Sequence, residues 1–118
     1  MTGAVGYHAG CAAEDVVARD YERRDAVIAA RRWRGQGGEI DLIVREGDRV
    51  VFVEVKKSRS FGAAAMQLGA RQMRRICASA AEFLAGEPQG QLTDVRFDLA
   101  LVDGAGALTV IENAFIET

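Results

Sequence analysis

Two carboxylates and a lysine define the chemistry open to this chain. Asp41 and Glu54 stand thirteen positions apart in Gly38-Glu39-Ile40-Asp41-Leu42-Ile43 and Val53-Glu54-Val55-Lys56, with Glu46-Gly47-Asp48-Arg49 between them. That intervening tetrapeptide is a turn signal flanked by β-branched, apolar-rich runs. A two-residue turn at Gly47-Asp48 pairs Glu46 with Arg49. Counting down the ladder then pairs Arg45 with Val50, Ile43 with Phe52, Asp41 with Glu54 and Glu39 with Lys56. Both acids fall on one face, with Lys56 two residues along.

Like charges directly opposite in a sheet destabilise it by up to ~1 kcal/mol. A divalent cation turns that repulsion into ligation. Hard oxygen donors in small number suit Mg²⁺ or Mn²⁺, which keep waters and accept phosphate oxygens. Lys56 is then placed to orient or activate a water, or to hold a phosphate. The bland alternative is an amphipathic hairpin with a solvated acidic–basic face. Apolar residues flank the acids on both strands, which favours partial burial. Glu14, set between Ala12-Ala13 and Val16-Val17, either completes the site as a third carboxylate or is a helix-surface acid with an arginine partner.

Charge is unevenly distributed. The formal net charge is −2, yet positions 1–75 carry fourteen of the fifteen Lys and Arg against ten of the seventeen acids, a net of +4. The remainder carries Arg96 against seven acids, a net of −6. The basic clusters are Arg23-Arg24, Arg31-Arg32-Trp33-Arg34, Lys56-Lys57-Ser58-Arg59 and Arg71 with Arg74-Arg75. They bracket the two acids in sequence, and a basic rim around an acidic, metal-binding centre suits a phosphodiester substrate. Arg31, Arg32, Arg34, Lys57, Arg59, Arg71 and Arg74 are the expected nucleic-acid contacts. Solvated faces are the ordinary explanation for any one cluster taken alone.

The elements that must position these residues form one α/β unit. A helix is expected over 9–24, with Ala12, Val16, Val17 and Tyr21 near helical spacing. Residues before it are expected to be loose, at 1–8. A strand follows at 26–34, a turn at Gly35-Gln36-Gly37-Gly38, then the hairpin strands at 39–45 and 49–57. After a polar loop over 57–63, a second helix spans 64–85, with Met66, Met73, Ile76, Ala80, Phe83 and Leu84 on its apolar side. Gly86-Glu87-Pro88 closes it. Two more strands are expected over 94–102 and 107–112. The chain reads as a single domain over 1–118, without repeats or low-complexity tracts.

Several classes are excluded. No apolar run of membrane-spanning length exists. The N-terminus lacks a signal-peptide layout, which points to the cytoplasm. Cys11 and Cys77 are far apart and are expected to be reduced residues, in the core or near the surface. His8 is the only histidine, so zinc and histidine-based nucleophilic catalysis are not expected.

The order of Glu on the first helix, then Glu-Ile-Asp, then Glu-Val-Lys on adjacent strands resembles the PD-(D/E)XK nuclease superfamily of restriction endonucleases and Holliday-junction resolvases. More closely, the chain resembles the YraN-like family of uncharacterised bacterial proteins within it. The likeness runs through Ala13-Glu14-Asp15-Val16-Val17-Ala18-Arg19, Trp33-Arg34, the two acid motifs, Phe61-Gly62, Arg96-Phe97-Asp98 and Ile111-Glu112-Asn113-Ala114-Phe115. It implies a restriction endonuclease-like fold, a central mixed five-stranded sheet flanked by helices. It also implies that Asp41, Glu54 and the backbone carbonyl of Val55 ligate Mg²⁺ or Mn²⁺, that Lys56 positions the attacking water, and that Glu14 orients a water or a second metal. Glu39 is given a supporting role. Three departures concern substrate binding: Arg32 stands where Asn is usual, Asp25-Ala26 where Gly and an aromatic are usual, and Arg71-Gln72 where Lys-Gln is usual.

Three readings follow. The first is a Mg²⁺-dependent nuclease for structured or branched DNA, acting alone or as a homodimer. The second is a nucleic-acid-binding module with little or no catalysis. The third is a protein-interaction scaffold that uses the acidic segment from Glu112 to Glu117.

Overall fold

A computed structural model of the chain describes residues 2–57 and 69–114, with side chains from Ala12 onward. Helix α1 (Thr2–Arg23) leads into strands β1 (Val27–Gly35), β2 (Gly38–Glu46) and β3 (Arg49–Lys57). Helix α2 (Ala70–Leu84), a short 3-10 turn (Gly90–Leu92), β4 (Val95–Val102) and β5 (Leu108–Ile111) complete it. The strands form one mixed sheet in the order β1-β2-β3-β4-β5, antiparallel everywhere except between β3 and β4. α2 lies in the crossover that this parallel pair requires. Among the described residues no helix is long and apolar enough to cross a membrane.

The sheet has a helix on each face. Alternate strand residues Leu42, Val44, Val51, Val53, Ala100 and Val102 pack with Ala13, Val17, Ala18 and Tyr21 of α1. Their neighbours Ile43, Val50 and Phe52 pack with Ile76, Ala80 and Leu84 of α2. β3 is central, so it is apolar on both faces and Val50–Val53 is a continuous buried run. On the α2 side Phe52 stacks on Phe97 at 5.3 Å and meets Phe83 edge-on at 5.9 Å. The Gly35–Gly38 connection lies against α2 so closely that a Cβ on Gly37 would stand 2.5 Å from the Arg75 carbonyl oxygen. Ser79, buried on α2, donates its hydroxyl to the Gly38 carbonyl at 2.8 Å.

The α1 side also holds a buried polar cluster. Asp98, with no exposed surface, accepts from the Tyr21 hydroxyl at 2.7 Å and from Arg96 at 2.8 and 3.0 Å. Arg96 reaches on to both oxygens of Glu46 at 3.0 and 3.1 Å. Burial and the Asp98 charge push the Tyr21 phenol above its ordinary range.

The expected element order holds, with local corrections. α1 starts at Thr2 rather than Ala9, so Thr2–His8, expected to be loose, is helical. Gly3, Gly6 and Gly10 had masked that stretch, because glycine lowers helix propensity without forbidding the helix. The second helix begins at Ala70, since Gly69 is extended (φ −100°, ψ 166°). The polar loop from Ser58 to Ala63 and the helix start over 64–68, Met66 included, lie outside the described residues. Cys77 is an exposed thiol on α2. The 3-10 turn was not expected.

Candidate functional site

Strands β2 and β3 part at their open end, and the acids gather in the fork. The hairpin register is as expected from Glu46↔Arg49 to Leu42↔Val53, and there the ladder stops. β3 continues against β4, from Glu54↔Leu99 to Lys57↔Val102, while β2 stays with β1 through Trp33↔Ile40 and Arg34↔Glu39. Asp41 and Glu54 are therefore not a cross-strand pair, and Glu39 does not face Lys56. A ladder count assumes that pairing continues to the strand ends, and here it does not. Instead Asp41 turns its side chain into the gap, where Oδ2 accepts the Val55 N–H at 2.8 Å.

Two backbone distortions produce this fork. Ile40 packs on the α2 side and Leu42 on the α1 side, so the period-two alternation of β2 breaks at Asp41. On β1, Arg32 adopts φ 50°, a left-handed conformation unusual for a side chain of its size. Irregular strand positions of this kind re-aim side chains and terminate pairing.

The carboxylates nevertheless meet. Glu54 is 7% exposed. Burial first, and then its hydrogen-bonded neighbour Asp41, push its carboxyl up to about 8, although Lys56 opposes the shift. Its Oε1 accepts from Gln72 Nε2 at 3.2 Å and lies 3.5 Å from Lys56 Nζ. Glu14, also buried, approaches from α1, with its Oε2 3.1 Å from Arg32 Nε. Burial raises its pKa, Arg32 counters this, and the charges of Asp41 and Glu39 add to the rise. Glu14 is thus both a buried acid of the cluster and the partner of an arginine. Glu39 lies 3.4 Å from Arg34.

Of the expected site residues, the fold brings together Glu14, Glu39, Asp41, Glu54, Val55 and Lys56. The basic residues are more dispersed. Arg31 is exposed and paired with Asp15 at 2.5 Å. Lys57 points to the opposite side from Lys56, into a groove with Ala12, Val16, Val102 and Asp103. Arg71 and Arg74 are exposed on α2 beside Arg75, the member of that basic cluster not counted among the expected contacts. Arg59 lies outside the described residues. Gln72, named above only within the Arg71-Gln72 pair, was missed as a partner of Glu54, and a signal existed for it. It sits in register with Ile76, Ala80 and Phe83 as the one polar residue at the start of the α2 apolar stripe.

The donor set fits a hard divalent cation. Asp41 and Glu54 are side by side, and the N–H and C=O of an extended residue point the same way, so the Val55 carbonyl shares the Asp41 side. Among the described residues no three acids, histidines or cysteines converge closely enough to form a ligand group. Few protein ligands, all oxygen, with room left for water is the pattern of Mg²⁺ rather than of an all-protein cage.

Fold and site together define an α/β protein whose mixed sheet carries a buried carboxylate, Glu54, beside a half-buried one, Asp41, and a lysine in a strand fork. Residues 13–102 match the family described as "Uncharacterised protein family UPF0102". The chain is 65% identical over 113 residues to a UPF0102 protein of Ruegeria pomeroyi, covering 96% of this chain and 92% of that one. A UPF0102 protein of Cereibacter sphaeroides is 63% identical over 115 residues, with 98% of each chain covered. One from Roseobacter denitrificans is 57% identical, covering 98% of this chain and 89% of its own. The chain belongs to the UPF0102 family.

Proposed function

We propose that this chain is a Mg²⁺-dependent nuclease that hydrolyses phosphodiester bonds in DNA, with structured or branched DNA as its substrate class. One observation carries the reading: Asp41 and Glu54 are held together in a strand fork with Lys56 Nζ 3.5 Å from Glu54 Oε1. Asp41, Glu54 and the Val55 carbonyl would hold the ion, which supplies positive charge to the phosphoryl oxygens and lowers the pKa of a bound water.

The chain's own groups do the rest. Gln72 and Lys56 both contact Oε1 of Glu54, so that carboxylate is fixed in aim and its Oε2 is used by neither. The Lys56 ammonium, with a side chain only 17% exposed, is positioned to hold a water or a phosphate oxygen. The buried setting strengthens each of these charge contacts relative to water.

Arg71, Arg74 and Arg75 have no ion-pair partner among the described residues, and they supply phosphate contacts on the α2 side. Lys57 supplies one on the other side of the sheet. Basic groups on two faces suit a substrate with more than one backbone path, such as a flap or junction. Contacts of this type position a backbone and do not read bases. Paired cuts on opposite strands would call for a second copy. We assign the chain to the cytoplasm on the same reading.

A non-catalytic binding module is favoured by a different observation: Glu54 is already satisfied by Lys56 and Gln72, and Glu14 by Arg32. Labelled single-stranded, duplex, flap and four-way-junction DNAs in Mg²⁺ and Mn²⁺ separate the two. The nuclease reading expects cleavage by wild type, and binding without cleavage by Asp41→Asn and Lys56→Ala. Binding without cleavage by wild type in either metal would establish the module instead.

A further inference from the structure

Arg32 is a charged residue held in a costly backbone conformation at the centre of the site. Its φ of 50° is one that bulky L-residues avoid, and such strain persists only where the surroundings impose it. The register places Arg32 between the pairs Arg31↔Leu42 and Trp33↔Ile40, and so beside Asp41. Its guanidinium engages Glu14 at 3.1 Å, and Glu14 is 8% exposed. Glu14 in turn feels the charges of Asp41 and Glu39. A permanent cation therefore stands among carboxylates that could otherwise gather around metal.

We infer that Arg32 takes the charge position of a second divalent ion: it occupies Glu14, restricts the site to one ion at Asp41 and Glu54, and its neutralisation opens a second site between Glu14 and Asp41. The inference rests on the metal reading proposed above. Four carboxylates (Glu14, Glu39, Asp41 and Glu54) face three fixed cations (Arg32, Arg34 and Lys56), so one divalent ion already overcompensates the acids. Without Arg32 one divalent ion only balances the acids, so a second ion meets an excess of two positive charges instead of three and gains Glu14 as a ligand released from its ion pair.

Mn²⁺ binding to the full chain, counted by calorimetry and by the loss of the free-ion electron paramagnetic resonance signal, tests this without any turnover. Wild type is expected to bind one ion and Arg32→Asn two. Asn and Gly both accept a left-handed backbone, so Arg32→Gly serves as a second fold-preserving variant. Adding Glu14→Gln to Arg32→Asn is expected to restore a count of one. Glu14→Gln alone, which leaves the strained position untouched, is expected to keep one ion, bound more weakly because the Arg32 charge is then uncompensated beside Asp41. Two ions in wild type, one ion in both Arg32 variants, or a second ion in Arg32→Asn that survives the added Glu14→Gln would each overturn the inference and leave the Asp41–Glu54 site standing. No saturable ion in wild type, or one indifferent to Asp41→Asn, would remove the metal reading itself.

Discussion

Asp41 Oδ2 accepts the backbone N–H of Val55 at 2.8 Å, a donor that would face strand β2 if the β2–β3 ladder ran on. One carboxylate oxygen thus seals the end of a sheet and holds its residue beside Glu54. The other oxygen is not used in that bond.

Stability of the metal-free protein should fall as pH rises. Glu54 titrates at about 8 in the folded chain against 4.5 for its ordinary value, so between those limits only the folded state holds the proton. Its contribution is fully present below the lower value and is lost as pH climbs through the upper one, at a limiting slope of about 1.4 kcal/mol per pH unit. Thermal unfolding from pH 5 to 9 should show this decline in wild type and a flatter profile in Glu54→Gln. Under the proposed function, Mg²⁺ should raise the midpoint more at pH 8 than at pH 6, because ion and proton compete for one carboxylate. A decline as steep in Glu54→Gln as in wild type would detach it from this residue, and a flat wild-type profile would remove the raised carboxyl altogether.

Gly37→Ala should destabilise the fold by about 1–3 kcal/mol, because its Cβ would stand 2.5 Å from a carbonyl oxygen of α2 that can move only with the helix. Urea unfolding checks the size. Gly104→Ala, with nothing within 4 Å of its Cβ, serves as the control and should cost less.

Tyr21→Phe should cost about 1–3 kcal/mol, since it removes a hydroxyl that donates to a fully buried carboxylate. Asp98→Ala should cost more, because Arg96 then loses two of its bonds in the interior. Both should lower the urea midpoint with little change in slope. A neutral Tyr21→Phe would mean that water replaces the hydroxyl.

The arginines on α2 should govern salt dependence rather than chemistry. If Arg71, Arg74 and Arg75 each contact one phosphate, replacing all three with Gln should reduce the log–log salt slope for duplex binding by about 2–3. Fluorescence anisotropy at several NaCl concentrations measures this, and an unchanged slope would place the DNA path elsewhere.

Much of this arrangement can be read from residue types alone, and the failures are instructive. The Gly47-Asp48 turn and the register from Glu46↔Arg49 to Leu42↔Val53 follow from turn chemistry and period-two alternation. The parting of β2 and β3 beyond that point does not, because it depends on the break at Asp41 and the left-handed Arg32, neither of which carries a local sequence signal. Glu14 illustrates a different limit. Helical spacing puts it near the buried side of α1, but only the fold brings Arg32 to it from a strand eighteen residues on. Runs of arginine likewise mark charge without direction. Lys56 and Lys57 are adjacent in sequence, yet they emerge on opposite sides of the sheet.

The parallel pairing of β3 with β4 has a kinetic consequence. β1, β2 and β3 form a meander that can zip from its two turns, whereas Val50 meets Val95 only after the intervening chain has wrapped around. Such long loop closure is slow. Glu54 pairs with Leu99 and is capped by Gln72, so its carboxylate stays hydrated until that late docking. Relieving its burial, by Glu54→Gln or by an ion, should therefore act mainly on the unfolding limb of a chevron and leave the folding limb nearly unmoved. The fork would then set how long the native state lasts more than how fast it is reached.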